Sequence, residues 1–299
     1  MHALHCGKLL PDVSVTTYIP TTMKQPDPAP FSDLNTLING VDWPVMPEAG
    51  QALIRTLNDD DADMFTVCQI IKKDPALTAA LLRMANSAMF GLSGTVDTLE
   101  RAVNVVGLSL VRTRAMSLCL ARTCRFPMGM DRLAFWHYSL RCAQYAQWLS
   151  EQCDVDDQEA WLCGMMLRLG EITMATARPG CLLKIEAQPI APGERWARQR
   201  QLIGFDEGVV TAEMAQRWDF PKALVLGMRH CTQPLASSEF ARLAGVLHLA
   251  ARLADSGPVT AQSVDALPGL LMQLLGLDGS ALLQHPPSEE QLDADFFGR

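Results

Sequence analysis

The sequence predicts an all-α protein, because segments with the apolar spacing of helices follow one another along most of the chain. Several of these segments begin at residues that cap helices, as at Asp74-Pro75. No alternating apolar and polar run is long enough to indicate a strand. Residues 1–35 are rich in Pro and Thr, and they are interpreted as an N-terminal tail or linker.

The first well-marked helix begins at Asp74-Pro75, where the Asp side chain can cap and the Pro ring suits the first helical position. Leu77, Leu81 and Met84 then recur at helical spacing and form one apolar face. This helix is expected to run to about Ser87.

The next helices are placed by similar signals. Asp97 stands three residues before Glu100 and indicates a start resembling a capping box. Gly107 can end that helix in a left-handed turn, and Ser109 is expected to begin another.

The second half of the chain is also predicted to be helical. Asp156-Asp157 opens one helix, and Pro and Gly residues mark a broken region at 179–193 before helices resume. Residues 257–299 are interpreted as a C-terminal extension with one or two short amphipathic helices, since Pro and Gly interrupt it.

Composition excludes several classes of protein. Of the 299 residues, 48% are hydrophobic and 19% charged, which is typical of a folded protein. No membrane span and no secretory signal is indicated, so we expect a cytoplasmic location. The nine cysteines include no Cys-x-x-Cys pair, and we expect them to be buried thiols in a reducing compartment.

The net charge of -8 argues against general nucleic-acid binding. One stretch is locally basic, and it permits two interpretations, a solvated helix face or a nucleic-acid contact; its basic residues are Arg101, Arg112, Arg114, Arg122 and Arg125. The absence of interleaved aromatic residues weakens the second interpretation, and no nucleic-acid partner is expected.

Catalytic and cofactor motifs are missing from the sequence. It contains no phosphate-binding glycine loop, no nucleophile elbow and no His-Glu-x-x-His. The six histidines are not spaced to bind one metal ion. No cofactor is therefore expected.

The stretch from Lys73 to Gly91, KDPALTAALLRMANSAMFG, resembles the signature of the HDOD family, the HD-related output domains of bacterial signalling. Similar matches follow in order along the chain: WPVMPE at 43–48, TLERAV at 98–103, FWHYS at 135–139, IGFD at 203–206, WDFP at 218–221 and LHLA at 247–250. The resemblance covers residues 36–256 and implies an all-α fold of two lobes, about 36–130 and 131–256. The second lobe is expected to resemble the HD phosphohydrolases.

The resemblance also implies that the metal ligands of those hydrolases are lost. Tyr138 stands where the first His is expected, Leu167-Arg168 replaces the His-Asp doublet, and Glu207 takes a later His position. Ala251 replaces the last Asp, and His230 lies one residue before the next expected His pair. Leu and Ala offer no lone pair to a metal, and Arg168 would bring a positive charge to its place.

These substitutions favour a regulatory signalling protein that is not an enzyme and binds a partner protein or a small ligand. The alternative is a residual HD-type metal-dependent phosphohydrolase that acts on nucleotides. The candidate binding residues at the degenerate HD pocket are Tyr138, Arg168, Glu171, Glu207 and His230. Arg168 either faces this pocket, where it could bind an anion, or pairs with Glu171 on the surface at i, i+3 spacing.

The family motif itself has a simpler explanation. Its residues Asp74, Pro75, Asn86, Ser87 and Gly91 fit an N-cap, a first helical turn, a helix end and a turn. We therefore expect these residues to be structural.

Overall fold

The computed structural model describes residues 28–42, 44–59, 61–87, 94–187 and 191–287. Over these ranges the chain forms helices and no strand, which confirms the all-α prediction. The helices of the first half are Leu34–Asn39 (α1), Glu48–Leu57 (α2), Met64–Lys72 (α3), Pro75–Ala85 (α4), Leu99–Val106 (α5) and Leu108–Thr123 (α6).

The second half contains eleven further helices within the described ranges. Eight of them are Arg132–Ser150 (α7), Asp157–Met166 (α8), Leu169–Ala177 (α9), Cys181–Glu186 (α10), Glu194–Ile203 (α11), Glu207–Arg217 (α12), Lys222–His230 (α13) and Arg242–Ser256 (α14). The last three are short: Ala261–Asp265 (α15), Gly269–Leu275 (α16) and Gly279–Leu282 (α17).

The capping residues confirm part of the predicted helix boundaries. Asp74 accepts a hydrogen bond from the backbone N–H of Leu77 at 3.0 Å, with Pro75 in the first turn of α4. Asp156 caps α8 in the same way through Glu159, at 2.8 Å. These caps act as expected because a short acidic side chain can reach an unpaired N–H of the first turn.

Gly107 follows the last residue of α5 as expected, but the predicted cap of α5, the left-handed turn and the start of α6 are wrong. Thr98, not Asp97, caps α5, because the Thr98 hydroxyl accepts from the N–H of Arg101 at 3.2 Å while Asp97 lies 3.9 Å from the Arg101 guanidinium. Gly107 has a φ of 94° but an extended ψ of 151°, so it joins α5 directly to α6 without a left-handed turn. As a result α6 begins at Leu108, one residue earlier than expected.

In two regions the structure contains more short helices than the sequence predicted. The region 179–193 contains α10, which starts directly after Gly180, a residue with a φ of 81°. The described part of the C-terminal extension forms three helices instead of one or two, and α15 begins with a reciprocal cap between Thr260 and Ser263. Residues 288–299 lie outside the described residues. Short helices carry too few apolar repeats for periodicity to detect them.

One apolar core extends through both halves of the chain. Leu53 of α2 and Met116 of α6 belong to the same buried cluster as Leu149, Leu162 and Leu247 of α7, α8 and α14. The long helix α7 packs against α8 and α14, and α6 packs against α8. Continuous packing of this kind fixes the second-half helices relative to one another and so holds the candidate site.

Residues 28–39 pack against the second half. Leu37 and Ile38 of α1 are fully buried in a smaller cluster with Met174 and Ile203. The Phe31 N–H donates to the Ile203 carbonyl at 2.8 Å. Residues 1–27, most of the predicted tail, lie outside the described residues.

No single helix in the described ranges is long and apolar enough to cross a membrane, although α5 and α6, bent by 120°, pass that test as a pair by length and composition.

Candidate functional site

Four of the five candidate residues meet in the interior of the second half. Tyr138 comes from α7, Arg168 from the turn before α9, Glu171 from α9 and Glu207 from the first turn of α12. The fifth candidate, His230, is partly exposed at the end of α13 and is absent from the hydrogen bonds described below.

Arg168 and Glu171 pair with each other, but the pair is buried. The Arg168 Nε donates to a carboxylate oxygen of Glu171 at 2.7 Å, and Nη2 lies 2.5 Å from the same oxygen. The Glu171 side chain is fully buried, and only 12% of the Arg168 side chain is exposed, next to Glu186 at 3.6 Å. Arg168 thus neither lies on the surface nor presents a free guanidinium to a cavity.

Arg195 of α11 lies at the centre of the site. Its guanidinium is 3.2 Å from Glu171, 3.3 Å from Glu207 and 2.9 Å from Asp255 of α14. Glu207 is fully buried, and the side chains of Arg195 and Asp255 are 8% and 12% exposed. Three carboxylates from three helices therefore converge on one guanidinium.

Neutral donors complete the coordination of the two glutamates. The Gln199 amide nitrogen donates to Glu171 at 2.9 Å and to Glu207 at 3.0 Å, and its oxygen accepts from the Glu207 backbone N–H at 2.9 Å. The indole N–H of Trp196 donates to Glu207 at 2.7 Å. Buried carboxylates need such donors because burial removes their hydrogen bonds to water.

Tyr138 also contacts these charged side chains, through its ring and its hydroxyl. The guanidinium carbons of Arg168 and Arg195 lie 4.3 and 5.2 Å from the ring centroid, within cation–π range. The hydroxyl donates to Asp255 at 3.0 Å and accepts from Arg195 at 3.1 Å. Burial raises the pKa of this phenol well above its usual value, so it stays protonated as a donor.

We name this set the buried ion cluster: Tyr138, Arg168, Glu171, Arg195, Gln199, Glu207 and Asp255. Two guanidiniums face three carboxylates, which leaves an excess of negative charge. Burial and the neighbouring Glu207 raise the pKa of Glu171 to about 8. Burial would also raise the pKa of Glu207, but Arg195 and Arg168 outweigh it and hold that pKa at about 2. The two carboxylates therefore share one proton near neutral pH.

Sequence reasoning missed Arg195, Gln199 and Asp255. Arg195 and Gln199 stand four residues apart and so share one face of α11, a spacing that was available in the sequence. Asp255 lies one helical turn after Ala251, the position assigned to the last Asp of the HD pattern. Helical periodicity could have indicated the Arg195–Gln199 face and the position of Asp255. Only the packing of the helices shows that these side chains lie beside Glu171 and Glu207.

His248 lies beside the cluster and remains neutral. Burial lowers the pKa of its imidazole to about 4. Its Nδ1 lies 2.8 Å from the Cys231 carbonyl, which can only accept, so Nδ1 carries the proton. Its ring packs 4.9 Å from that of Trp196, which in turn binds Glu207.

The positions that the resemblance assigns to metal ligands offer little to a metal ion. Leu167 and Ala251 are fully buried and apolar. Within the ranges that the structure covers, no three His, Cys, Asp or Glu side chains are arranged to hold a metal ion. Arg195 takes up the space between the three carboxylates that do converge.

The family motif residues have structural contacts. The Asn86 amide nitrogen donates to the Val96 carbonyl and its oxygen accepts from the Val96 N–H, both at 2.7 Å. Asp74 caps α4 and also pairs with Arg122 at 2.7 Å, while Ser87 follows the C-cap residue of α4. Gly91 lies outside the described residues.

The arginine side chains of the basic stretch at 101–125 do not form one exposed face. Arg114 is buried, with its guanidinium 3.3 Å from the Trp161 ring centre, and burial lowers its pKa to about 9. Arg112 donates to the Thr56 carbonyl at 2.9 Å. Two of the five arginines are therefore occupied in packing.

Comparison with known proteins decides the family. The profile of the HDOD domain matches residues 43–234, which is more than half of the chain. The chain belongs to the HDOD domain family. This confirms the resemblance read from the KDPALTAALLRMANSAMFG stretch.

Three solved structures share the fold. An HDOD domain protein with unknown function from Geobacter sulfurreducens superposes with a TM-score of 0.71 at 20% identity, covering 84% of this chain and 91% of that one. A protein from Shewanella amazonensis SB2B, provisionally named a phosphohydrolase, has a TM-score of 0.68 at 26% identity, covering 87% and 92%. A provisionally named signal transduction protein from Marinobacter aquaeolei VT8 has a TM-score of 0.67 at 22% identity, covering 83% and 58%.

A curated relative from Treponema pallidum (strain Nichols), an uncharacterized protein, is 27% identical over 207 residues. The match takes in 67% of this chain but spans only 39% of the length of that relative.

Proposed function

We propose that this HDOD protein is a non-catalytic regulator of signal transduction that acts by binding a partner. The observation that supports this proposal is the buried ion cluster. Arg195 and Arg168 contact the carboxylates of this cluster, among them Glu207, which the resemblance places at a ligand position of the HD hydrolases, and a divalent cation would have to displace a paired, buried guanidinium.

The cluster also argues against an anionic ligand at the same place. The donors of Arg195 and Arg168 are directed to Glu171, Glu207, Asp255 and Glu186. An incoming anion would have to replace carboxylates that are already paired and almost free of solvent. The proposal therefore moves the binding surface away from the former metal pocket.

The names of two structural neighbours point to the two candidate classes, signalling and phosphohydrolysis. Hydrolysis by the HD mechanism requires a metal ion to activate water and polarise the phosphate. Tyr138, Leu167 and Ala251 supply no carboxylate or imidazole for it. The residues of this chain consequently favour the first class.

A hydrolysis assay tests the proposal. The purified chain is incubated with bis-p-nitrophenyl phosphate and with nucleotides, in separate reactions with Mn²⁺, Mg²⁺ and Fe²⁺. We expect rates equal to those of buffer with metal. A metal-dependent rate that is lost on Glu207→Gln would overturn the proposal in favour of the phosphohydrolase.

A further inference from the structure

Residues 28–39, which we name the N-terminal strap, lie across the second half of the chain. Beneath the strap, buried side chains from four helices form one apolar surface. We name it the strap-binding surface: Met174 of α9, Cys181 of α10, Ile203 of α11 and Val210 of α12. Leu37 and Ile38 of the strap are fully buried in the same cluster. The structure thus shows both an apolar surface and the segment that covers it.

Polar contacts fix the backbone of the strap where it approaches the end of α11. The Phe31 N–H donates to the Ile203 carbonyl at 2.8 Å, and a Cβ on Gly204 would collide with the Phe31 carbonyl. Arg178 donates to the carbonyls of residues 28 and 29 at 3.3 and 2.7 Å, and its guanidinium lies 4.7 Å from the centroid of the Phe31 ring. The surface therefore fits an aromatic residue that is followed by a short helix with an apolar face.

The strap can leave this surface without opening the main core. Its cluster is separate from the large apolar cluster that joins the two halves, to which Leu169 of α9 and Trp196 of α11 belong. Two side chains of the strap, Leu37 and Ile38, are fully buried, whereas holding residues 28–39 in one conformation costs entropy along the whole segment. Segments held by few buried contacts open locally, without unfolding of the rest of the protein.

Three of the helices beneath the strap also form the buried ion cluster. On each of them, a residue of the strap-binding surface follows a residue of the buried ion cluster by about one helical turn. The pairs are Met174 after Glu171 on α9, Ile203 after Gln199 on α11 and Val210 after Glu207 on α12. A change in what covers the strap-binding surface therefore acts on the helices that position the buried ion cluster.

We propose that the N-terminal strap is a displaceable cover, and that an amphipathic segment of a partner protein replaces it on the strap-binding surface. The strap itself indicates the chemistry of that segment: an aromatic residue, an N-cap residue and then a Leu-Ile pair in a short helix, as at Phe31, Asp33 and 37–38. The proposal rests on the proposed non-catalytic function and gives that function a place and a partner chemistry.

Fluorescence anisotropy on the full chain tests the proposal. The probe is a fluorescein-labelled peptide with the sequence of residues 28–41, PAPFSDLNTLINGV, and a matched peptide carries Ser-Ser in place of its Leu-Ile pair. The strap variant, Leu37→Ser with Ile38→Ser, weakens the resident strap and leaves the strap-binding surface unchanged. We expect it to bind the probe saturably and roughly tenfold or more tightly than the wild type does, because tethering gives the intact strap a high effective concentration. The matched peptide should not bind.

Leu282→Ser is the matched control, because Leu282 is as fully buried as Leu37 but belongs to α17 and to the main core. It should bind the probe no more tightly than the wild type does. Equal binding by the control and the strap variant would overturn the proposal. So would the absence of saturable binding by a strap variant that keeps the circular dichroism spectrum of the wild type.

Hydrogen exchange of the wild-type chain tests displacement even where the strap variant does not fold. The backbone amides of Phe31 and of α1 should exchange at least roughly tenfold faster than those of α7, because the strap opens locally. Excess unlabelled probe peptide should speed their exchange further, since it occupies the surface whenever the strap is released. Strap amides that exchange only as fast as those of α7 would overturn the proposal.

Light scattering separates a partner protein from a second copy of this chain as the occupant. We expect the wild type to remain monomeric as its concentration rises. A concentration-dependent dimer that the strap variant does not form would place the strap of a second copy on the surface and overturn the partner assignment. These measurements are independent of the hydrolysis assay, so failure of the strap proposal and failure of the non-catalytic assignment are distinguishable.

Discussion

Arg195 is the residue on which the site depends most. Its guanidinium contacts Glu171, Glu207 and Asp255, and the side chains in these contacts are at most 12% exposed. Buried ion pairs add little stability over a well-packed apolar replacement, but losing one partner leaves an unpaired buried charge. The loss of stability on substituting Arg195 should therefore depend on which buried charges are left unpaired beside it.

Arg195→Met is expected to lower the free energy of unfolding by about 3 to 5 kcal/mol, because Glu207 and Asp255 lose their shared cation. The double variant Arg195→Met with Glu207→Gln should recover part of this loss, since one of the stranded charges is removed. Urea denaturation of the single and double variants measures both effects.

Arg101→Met serves as the control, because its pair with Asp97 is 3.9 Å long and half exposed. It should change the free energy of unfolding by less than about 1 kcal/mol. Equal losses for Arg195→Met and Arg101→Met would contradict the central role of Arg195.

At the scale of elements, α9 is held tightly against α12. A Cβ on Gly170 would lie 2.5 Å from the backbone oxygen of Glu207 and 3.0 Å from the Thr211 hydroxyl. That hydroxyl accepts from the Gly170 N–H at 2.8 Å and donates to the Leu167 carbonyl at 2.9 Å. The close approach brings Glu171 and Glu207 within reach of the same Gln199.

Gly170→Ala is expected to destabilise the fold by about 1 to 3 kcal/mol, the usual cost of overpacking, because the neighbouring backbone cannot yield as a side chain would. Gly269→Ala in α16 is the matched control, since nothing lies within 4 Å of its added Cβ. Thermal unfolding of both variants should show a lower Tm for the first and an unchanged or slightly higher Tm for the second. The reverse order would show that α9 and α12 are not closely packed.

The elements also show what the sequence could predict. Asp74 and Asp156 cap their helices as expected, because capping depends on neighbours along the chain. Thr98 was missed in favour of Asp97 because both residue types cap, and only the backbone conformation decides between them. Arg195 and Asp255 were missed because they lie 60 residues apart and meet only through packing.

At the scale of the whole molecule, the shared proton of the buried ion cluster couples stability to pH. Folding raises the pKa of Glu171 from 4.5 to about 8, so the folded state holds a proton that the unfolded state has released. The contribution of Glu171 to the free energy of unfolding is fully present below its pKa in the unfolded chain. It is lost as the pH rises through its pKa in the folded protein. The pKa of His248, lowered from 6.5 to about 4 by burial, acts in the opposite direction below pH 6.5.

Between pH 6.5 and 8 the free energy of unfolding should consequently fall as pH rises, by at most about 1.4 kcal/mol per pH unit. Glu171→Gln, which cannot ionise, should flatten this slope. Urea denaturation across the range gives both slopes. A wild-type slope that Glu171→Gln leaves unchanged would show that another group carries the proton.

The central proposal for the whole molecule is that paired arginines occupy the place that a metal ion takes in the HD hydrolases. The most direct test is metal content, measured by elemental analysis of chain purified without chelator, then incubated with excess Mn²⁺, Zn²⁺ or Fe²⁺ and desalted. We predict far less than one metal ion per chain under every condition, because the Arg195 guanidinium already lies between the converging carboxylates. Near-stoichiometric metal that is lost on Glu207→Gln would contradict the account.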